Sequence, residues 1–228
     1  MGVKISAVII GSINIEVDTL KKIEGVKIFK VTDRKSCDEI VNNVASDDIV
    51  FIISDGREVY YAEKFFSRLP ALKIYLVTEA QAADNKNLRD VIIQLPAQNF
   101  NQKIYEVANA INEIFNNGGL VELDLKDLKS VLKNSGKAVA FIGEATGENA
   151  VQDCVENALK GRDIKSARGV VLNFKGSVDA CTMSAIHAAT EKIQAAVSED
   201  AEIIWSVTVD ESLGDKVKVA VIAGKFLG

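Results

Sequence analysis

Short β-branched apolar runs alternate with helical periods along the first hundred residues of the chain. Residues 4–10 (KISAVII), 26–31 (VKIFKV), 49–53 (IVFII), 73–77 (KIYLV) and 91–95 (VIIQL) read as strands. Between them, apolar positions recur at helical spacing over 17–23, 36–45 and 58–68, with a shorter pattern around residue 90. The run at 49–53 is apolar throughout, as a strand covered by helices on both faces requires. Ser36, with Glu39 three residues on, has the spacing of a capping box. Pro70 falls between a helix and a strand and Pro96 just past a strand, where a missing N–H costs least. Five strands alternating with helices predict an open, parallel α/β sheet of Rossmann type, with its binding loops at the strand C-termini.

The pattern then changes. A longer helix over 102–115 carries Ile104, Val107, Ala108, Ile111, Ile114 and Phe115 on one continuous stripe, and Asn116-Asn117-Gly118-Gly119 stops it. A helix over 125–134 follows, then strand 139–142, helix 147–159, strand 169–174, helix 180–197 and strand 202–209. The last strand, 216–223, alternates, with Val217, Val219 and Val221 on one face and Lys218, Ala220 and Ile222 on the other. Two consecutive strands at the end predict an α+β layer in which two helices cover a mixed sheet. The organisation expected is a Rossmann-like domain over 1–101, a helix-and-loop connector over 102–135, and an α+β domain over 136–228.

Composition narrows the function classes. The 228 residues hold 27 Lys+Arg against 32 Asp+Glu, a net charge of −5, with 48% apolar residues, an ordinary globular balance that excludes disorder. No basic run is longer than Lys21-Lys22 or Arg34-Lys35, which argues against nucleic acid or an anionic membrane as the main partner. Apolar runs such as Ala7-Val8-Ile9-Ile10 never exceed five residues, far short of the roughly 20 a bilayer needs. With no signal-peptide pattern at the N-terminus, the chain reads as cytoplasmic. Cys37, Cys154 and Cys181 are too scattered for a disulfide framework or a zinc site. The single His187 lies in a helical pattern and reads as solvent-facing or structural, which leaves Ser/His/Asp and Cys/His catalysis without parts.

The connector points further. Gly119-Leu-Val-Glu-Leu-Asp-Leu-Lys-Asp-Leu-Lys-Ser-Val-Leu132 resembles the segment after the central helix of FtsZ, the bacterial tubulin relative, where the pattern is G-L-I-N-x-D-F-x-D-V-K-x-V-M. Gly119, Leu120, Asp124, Asp127, Lys129 and Val131 match without a gap. The resemblance continues through Gly136-Lys-Ala-Val-Ala-Phe-Ile-Gly143, Ala145-Thr-Gly-Glu148 and Ala167-Arg-Gly-Val-Val-Leu-Asn173, covering about residues 102–224. Over 1–101 it rests on the order of elements, with Asp48-Ile-Val-Phe-Ile-Ile53 set against A-D-M-V-F-V-T. It implies the two-domain tubulin-type scaffold.

The resemblance also implies a nucleotide site and shows where this chain departs from it. FtsZ cradles GTP with glycine runs, among them G-G-G-T-G-T-G, because backbone N–H groups must reach phosphate oxygens without Cβ atoms in the way. The corresponding loops here are Gly11-Ser-Ile-Asn-Ile-Glu-Val-Asp18 and Ser54-Asp-Gly-Arg-Glu-Val-Tyr60, each with one glycine and two carboxylates. Carboxylates facing a triphosphate repel it by several kcal/mol at a poorly solvated site. The acidic residue expected to read the base is Gln102, and a Pro-Asn-Asp pattern has become Pro96-Ala-Gln98. The nucleotide-facing candidates are therefore Gly11, Ser12, Ser54, Gly56 and Gln102, and the leading expectation is a site that takes no cofactor. A second reading keeps GTP, with Mg²⁺ offsetting Asp55.

In FtsZ the loop after the central helix serves the next subunit, where its carboxylates position the attacking water. Asp124 and Asp127 match those positions, and Glu122 replaces a polar Asn. Spacing alone offers another role for the pair: Asp124 as N-cap with Asp127 at N3 of the following helix. The expected partners are the chain itself or an FtsZ-type protein. Because the sequence ends at Phe226-Leu-Gly228, no tail for membrane-tether proteins is expected.

Overall fold

The computed structural model describes residues 2–11, 15–54, 64–78, 91–116, 118–133 and 135–226. The chain divides into two compact units, Met1–Asn112 and Glu113–Gly228.

The first unit is built on β1 (Ile5–Ile10), β2 (Lys27–Val31), β3 (Ile49–Ser54), β4 (Leu72–Thr78) and β5 (Val91–Leu95), with helices α1 (Val17–Leu20) and α2 (Arg34–Asn43) and the start of α3 (Phe100–Asn116). The strands lie in the order β2-β1-β3-β4-β5, and every neighbouring pair is parallel. Each residue of β1 and β3 is buried, which is why their sequences are apolar apart from Ser6 and Ser54. On one face, Val8, Ile10, Val50, Ile52, Tyr75 and Val77 pack with Cys37, Ile40 and Val44 of α2. The period of two places these residues on that face, and the helical period of α2 supplies their cover. β2 pairs only with β1 and exposes Lys27 and Lys30, as charged residues blunt an edge strand.

The start of α2 differs from the capping expectation at Ser36. The N-cap is Asp33, whose Oδ1 accepts the Ser36 N–H at 2.7 Å, while Ser36 Oγ is 3.1 Å from the Asp33 N–H. The capping box is present three residues earlier, with Ser36 as its far member and Glu39 outside it. Of the helix expected over 58–68, residues 64–66 are helical and 55–63 lie outside the described residues, as does the pattern around residue 90.

The second unit contains β6 (Gly119–Val121), α4 (Leu125–Leu132), β7 (Gly136–Thr146), α5 (Ala150–Leu159), β8 (Gly169–Gly176), α6 (Met183–Ala196), β9 (Glu202–Val209) and β10 (Lys216–Gly224). Its strand order is β7-β10-β8-β9-β6, with β8 and β9 parallel and the other pairs antiparallel. Val217, Val219 and Val221 of β10 and Val170, Leu172 and Phe174 of β8 share one core with Cys154 and Val155 of α5 and Ile186, Ala189 and Ile193 of α6. The alternation in β10 thus marks the face that two helices cover. β7 is longer than the run 139–142 because β10 pairs with it from Thr146 to Ala138. β6 was not anticipated: three residues at a sheet edge leave no periodic signal.

Candidate functional site

In a 2-1-3-4-5 sheet the chain leaves β1 and β3 in opposite directions, and the crevice beyond their C-terminal ends is where open α/β sheets bind ligands. Ile10 is paired with Ser54, so the structure brings the ends of these strands side by side. Gly11 follows with φ 95°, a conformation that favours glycine, which explains why this glycine stands at the exit from β1. Ser54 is buried as the last residue of β3, aligned with Val77 of β4. Ser12 and Gly56 lie outside the described residues.

A cavity of about 570 Å³ opens beyond the end of β4, lined by Glu16, Thr19, Thr78, Asn99, Asn101 and Gln102 among others. Gln102 stands in the first turn of α3, with its Nε2 donating to Glu106 Oε1 at 3.0 Å. Gly11 and Ser54 are not among its lining residues. The Glu16 N–H donates to Asn101 Oδ1 at 3.3 Å, and Thr19 Oγ1 donates to Glu16 Oε2 at 3.2 Å, which ties the loop after β1 to the start of α3. Nearby, the Lys21 ammonium 2.7 Å from Asp18 holds that carboxyl below its usual range. Among the described residues, Glu16 is the charged group that lines the cavity. Asn99 was missed at the sequence level. It precedes α3 with φ 59°, and Asn adopts this conformation more readily than most residues, so an Asn directly before a helical period was the available signal.

The second candidate is the β6–α4 loop. Glu122, Asp124 and Asp127 are all exposed. Asp124 is the N-cap of α4: its Oδ1 accepts the Lys126 N–H at 2.9 Å, and Asp127 Oδ2 accepts the Asp124 N–H at 3.3 Å. Both aspartates are therefore engaged with backbone donors that would otherwise be orphaned at the helix start, while Glu122 takes no part in the box. Gly119 has a packing reason, since a Cβ there would lie 2.2 Å from the Val207 carbonyl oxygen of β9. Asn173 in β8 likewise serves the fold, its Oδ1 accepting the hydroxyls of Ser206 at 3.0 Å and Thr208 at 3.1 Å.

A parallel α/β unit with its candidate site at the strand ends, a long helix, and an α+β unit whose mixed sheet is covered by two helices together define the two-domain FtsZ/tubulin-like class. Comparison with known proteins agrees. Residues 136–226 match the family model described as FtsZ family, C-terminal domain. A cell division protein FtsZ from Magnetospirillum gryphiswaldense is 30% identical over 125 residues, which is 53% of this chain and 22% of that protein's length. An empty FtsZ dimer from M. jannaschii superposes with TM-score 0.79 at 20% identity, covering 98% of this chain and 88% of that one. CetZ2 from Haloferax volcanii, solved as a GTPγS-bound protofilament, gives 0.63 at 13% identity, covering 96% and 84%. Residues 136–226 are thus similar to the C-terminal domain of the FtsZ family, and the chain has the FtsZ/tubulin-like two-domain fold, without the glycine-rich nucleotide signature.

Proposed function

We propose that this chain is a cytoplasmic, FtsZ-like cytoskeletal protein of the cell-division type that acts by protein–protein association and does not hydrolyse nucleotide. Its partner is another copy or an FtsZ-type filament, met through the β6–α4 loop. The observation that carries this reading is the chemistry of the strand ends. One glycine, Gly11, leads out of β1, and the cavity at the end of β4 offers a carboxylate and no cation among its described lining residues. A triphosphate carries several negative charges into such a site, and each unit charge near Glu16 costs on the order of 1–4 kcal/mol at 4 Å under surface or partly buried screening. The engagement of Asp124 and Asp127 in a capping box supports the same reading, because carboxylates held by helix N–H groups are poorly free to polarise water.

Titration calorimetry with GTP and Mg²⁺ tests this. The expected trace is heat of dilution alone, and a micromolar dissociation constant overturns the proposal. A second reading, a divergent GTPase with a site shared between subunits, draws on one observation: the cavity falls within the usual range for small-molecule sites, about 300–1,000 Å³. Phosphate release per subunit that rises with protein concentration is the result that favours it.

A further inference from the structure

The exposed cations of the second unit are unevenly placed. Lys192 pairs with Glu156, Lys216 and Lys218 face Glu144, and Lys175 is held by Glu113 and Asp210. The end of the sheet where β7 and β8 begin is different. Lys133 closes α4, Lys137 is the second residue of β7, Lys160 closes α5, and Arg162, Lys165 and Arg168 follow in the loop that leads into β8. All six are exposed, and among the described residues only Arg168 has a carboxylate partner, Asp200 at 3.2 Å. The β10 register, with Gly224 opposite both Ala138 and Gly169, places the starts of β7 and β8 at the same end.

The α5–β8 loop is built to present these cations. Ile164 and Ala167 are buried in the core under α5 and α6, while Lys160, Arg162, Lys165 and Arg168 point to solvent. Backbone bonds from Arg162 N–H to Leu159 O (2.9 Å) and from Ala167 N–H to Ile164 O (2.9 Å) fix the loop's course. The Arg162 guanidinium stands 5.0 Å from the centroid of the Phe141 ring, a stacking contact that leaves the N–H edge of the planar fork able to meet an incoming carboxylate. A plain structural account covers part of the pattern, since Lys133 and Lys160 sit at helix C-termini, where cations offset the dipole. It does not cover Lys137, Arg162 or Lys165. The carboxylates at this end are Asp163, Glu199, Asp200 and Glu202. Asp163 Oδ1 accepts the Lys165 N–H, Asp200 takes Ser198 and Arg168, and Glu202 takes Ser130.

We infer that this basic end of the second unit is a docking surface for an acidic protein segment. The ligand chemistry follows from scale. The chain as a whole carries −5, so an extended anionic surface such as a bilayer or a duplex would also meet its acidic remainder. A short acidic segment, about 20 Å long for six extended residues, can lie on the basic end alone, and carboxylates more than about one Debye length away (~8–10 Å) are screened from it. The inference is independent of whether the first unit binds nucleotide.

The test is fluorescence anisotropy of a labelled hexaglutamate peptide titrated with the full-length chain, together with amide shift mapping by NMR. Binding is expected at about 0.05 M salt and is expected to weaken at least about tenfold at about 0.5 M. Shifts are expected at 137, 141 and 160–168. The triple variant K137E/R162E/K165E, its fold checked by circular dichroism, is expected to lose at least about tenfold in affinity, and K192E to lose none. Absence of salt-sensitive peptide binding, or binding unchanged in the triple variant, overturns the proposal. So does tighter binding, through the same residues, of phosphatidylserine vesicles, single-stranded DNA or a second copy of the chain.

Discussion

At the scale of single residues, burial decides chemistry that composition leaves open. The sequence excluded a disulfide framework from the spacing of the cysteines, and their environment goes further. Cys154 and Cys181 are buried in one apolar cluster, and burial pushes their thiols up to about 12 and about 11. The folded state keeps these protons at pH values where the unfolded chain, with thiols near about 8.5, has released them. Folding then binds more protons than unfolding, so stability is unaffected below about pH 8 and falls as pH rises past about 9. Denaturant midpoints measured from pH 7 to 10 check this, with C154A/C181A expected to flatten the alkaline decline relative to the parent chain. Alkylation of the folded protein at the rate of a free thiol would contradict it. None of this was legible in the sequence, because an apolar period does not reveal which faces meet across a sheet and two helices.

Among the elements, the most legible were those whose period is fixed by burial on both faces or by one clean stripe. β1 and β3 read as nearly continuous apolar runs because each of their residues is inside, and β10 reads by alternation because two helices cover one face. Helix starts were harder. Ser36 was placed in a capping box, but Asp33 caps α2, since either residue can hold the bond and only the backbone path decides. β6 was illegible because its three residues owe their extension to pairing with β9. The α4 start was readable both ways, as catalytic loop or as cap, and the cap geometry is present. From it follows that Asp124→Ala costs about 1 kcal/mol of stability. Asp124→Asn costs a few tenths, because the amide oxygen can accept the same N–H bond. Urea unfolding of the two variants checks the order, and an Asn variant as damaged as the Ala variant would show that charge, and not capping, is what the position supplies.

For the molecule as a whole, the two ends of the proposed function are chemically unequal. The segment after β1 carries Glu16 and Asp18 and the exit glycine Gly11, whereas the β6–α4 loop of the second unit keeps the matched acidic pattern on its surface. A subunit with one competent face adds to a filament and offers nothing to the next subunit, so it terminates growth from that end. Substoichiometric amounts of this chain are therefore expected to shorten filaments of a nucleotide-hydrolysing FtsZ-type protein, as seen by negative-stain microscopy. The polymerising protein's turnover per assembled subunit is expected to stay the same. Glu122 lies outside the capping box, so Glu122→Lys leaves the fold within about 0.5 kcal/mol of the parent while reversing a charge on the contacting loop. That variant is expected to need about tenfold more protein for the same shortening, the scale on which one rim charge changes association. Equal potency of the two proteins would move the contact away from this loop. Filaments unchanged in length at equimolar protein would remove heterotypic capping and leave self-association as the form the proposed function takes.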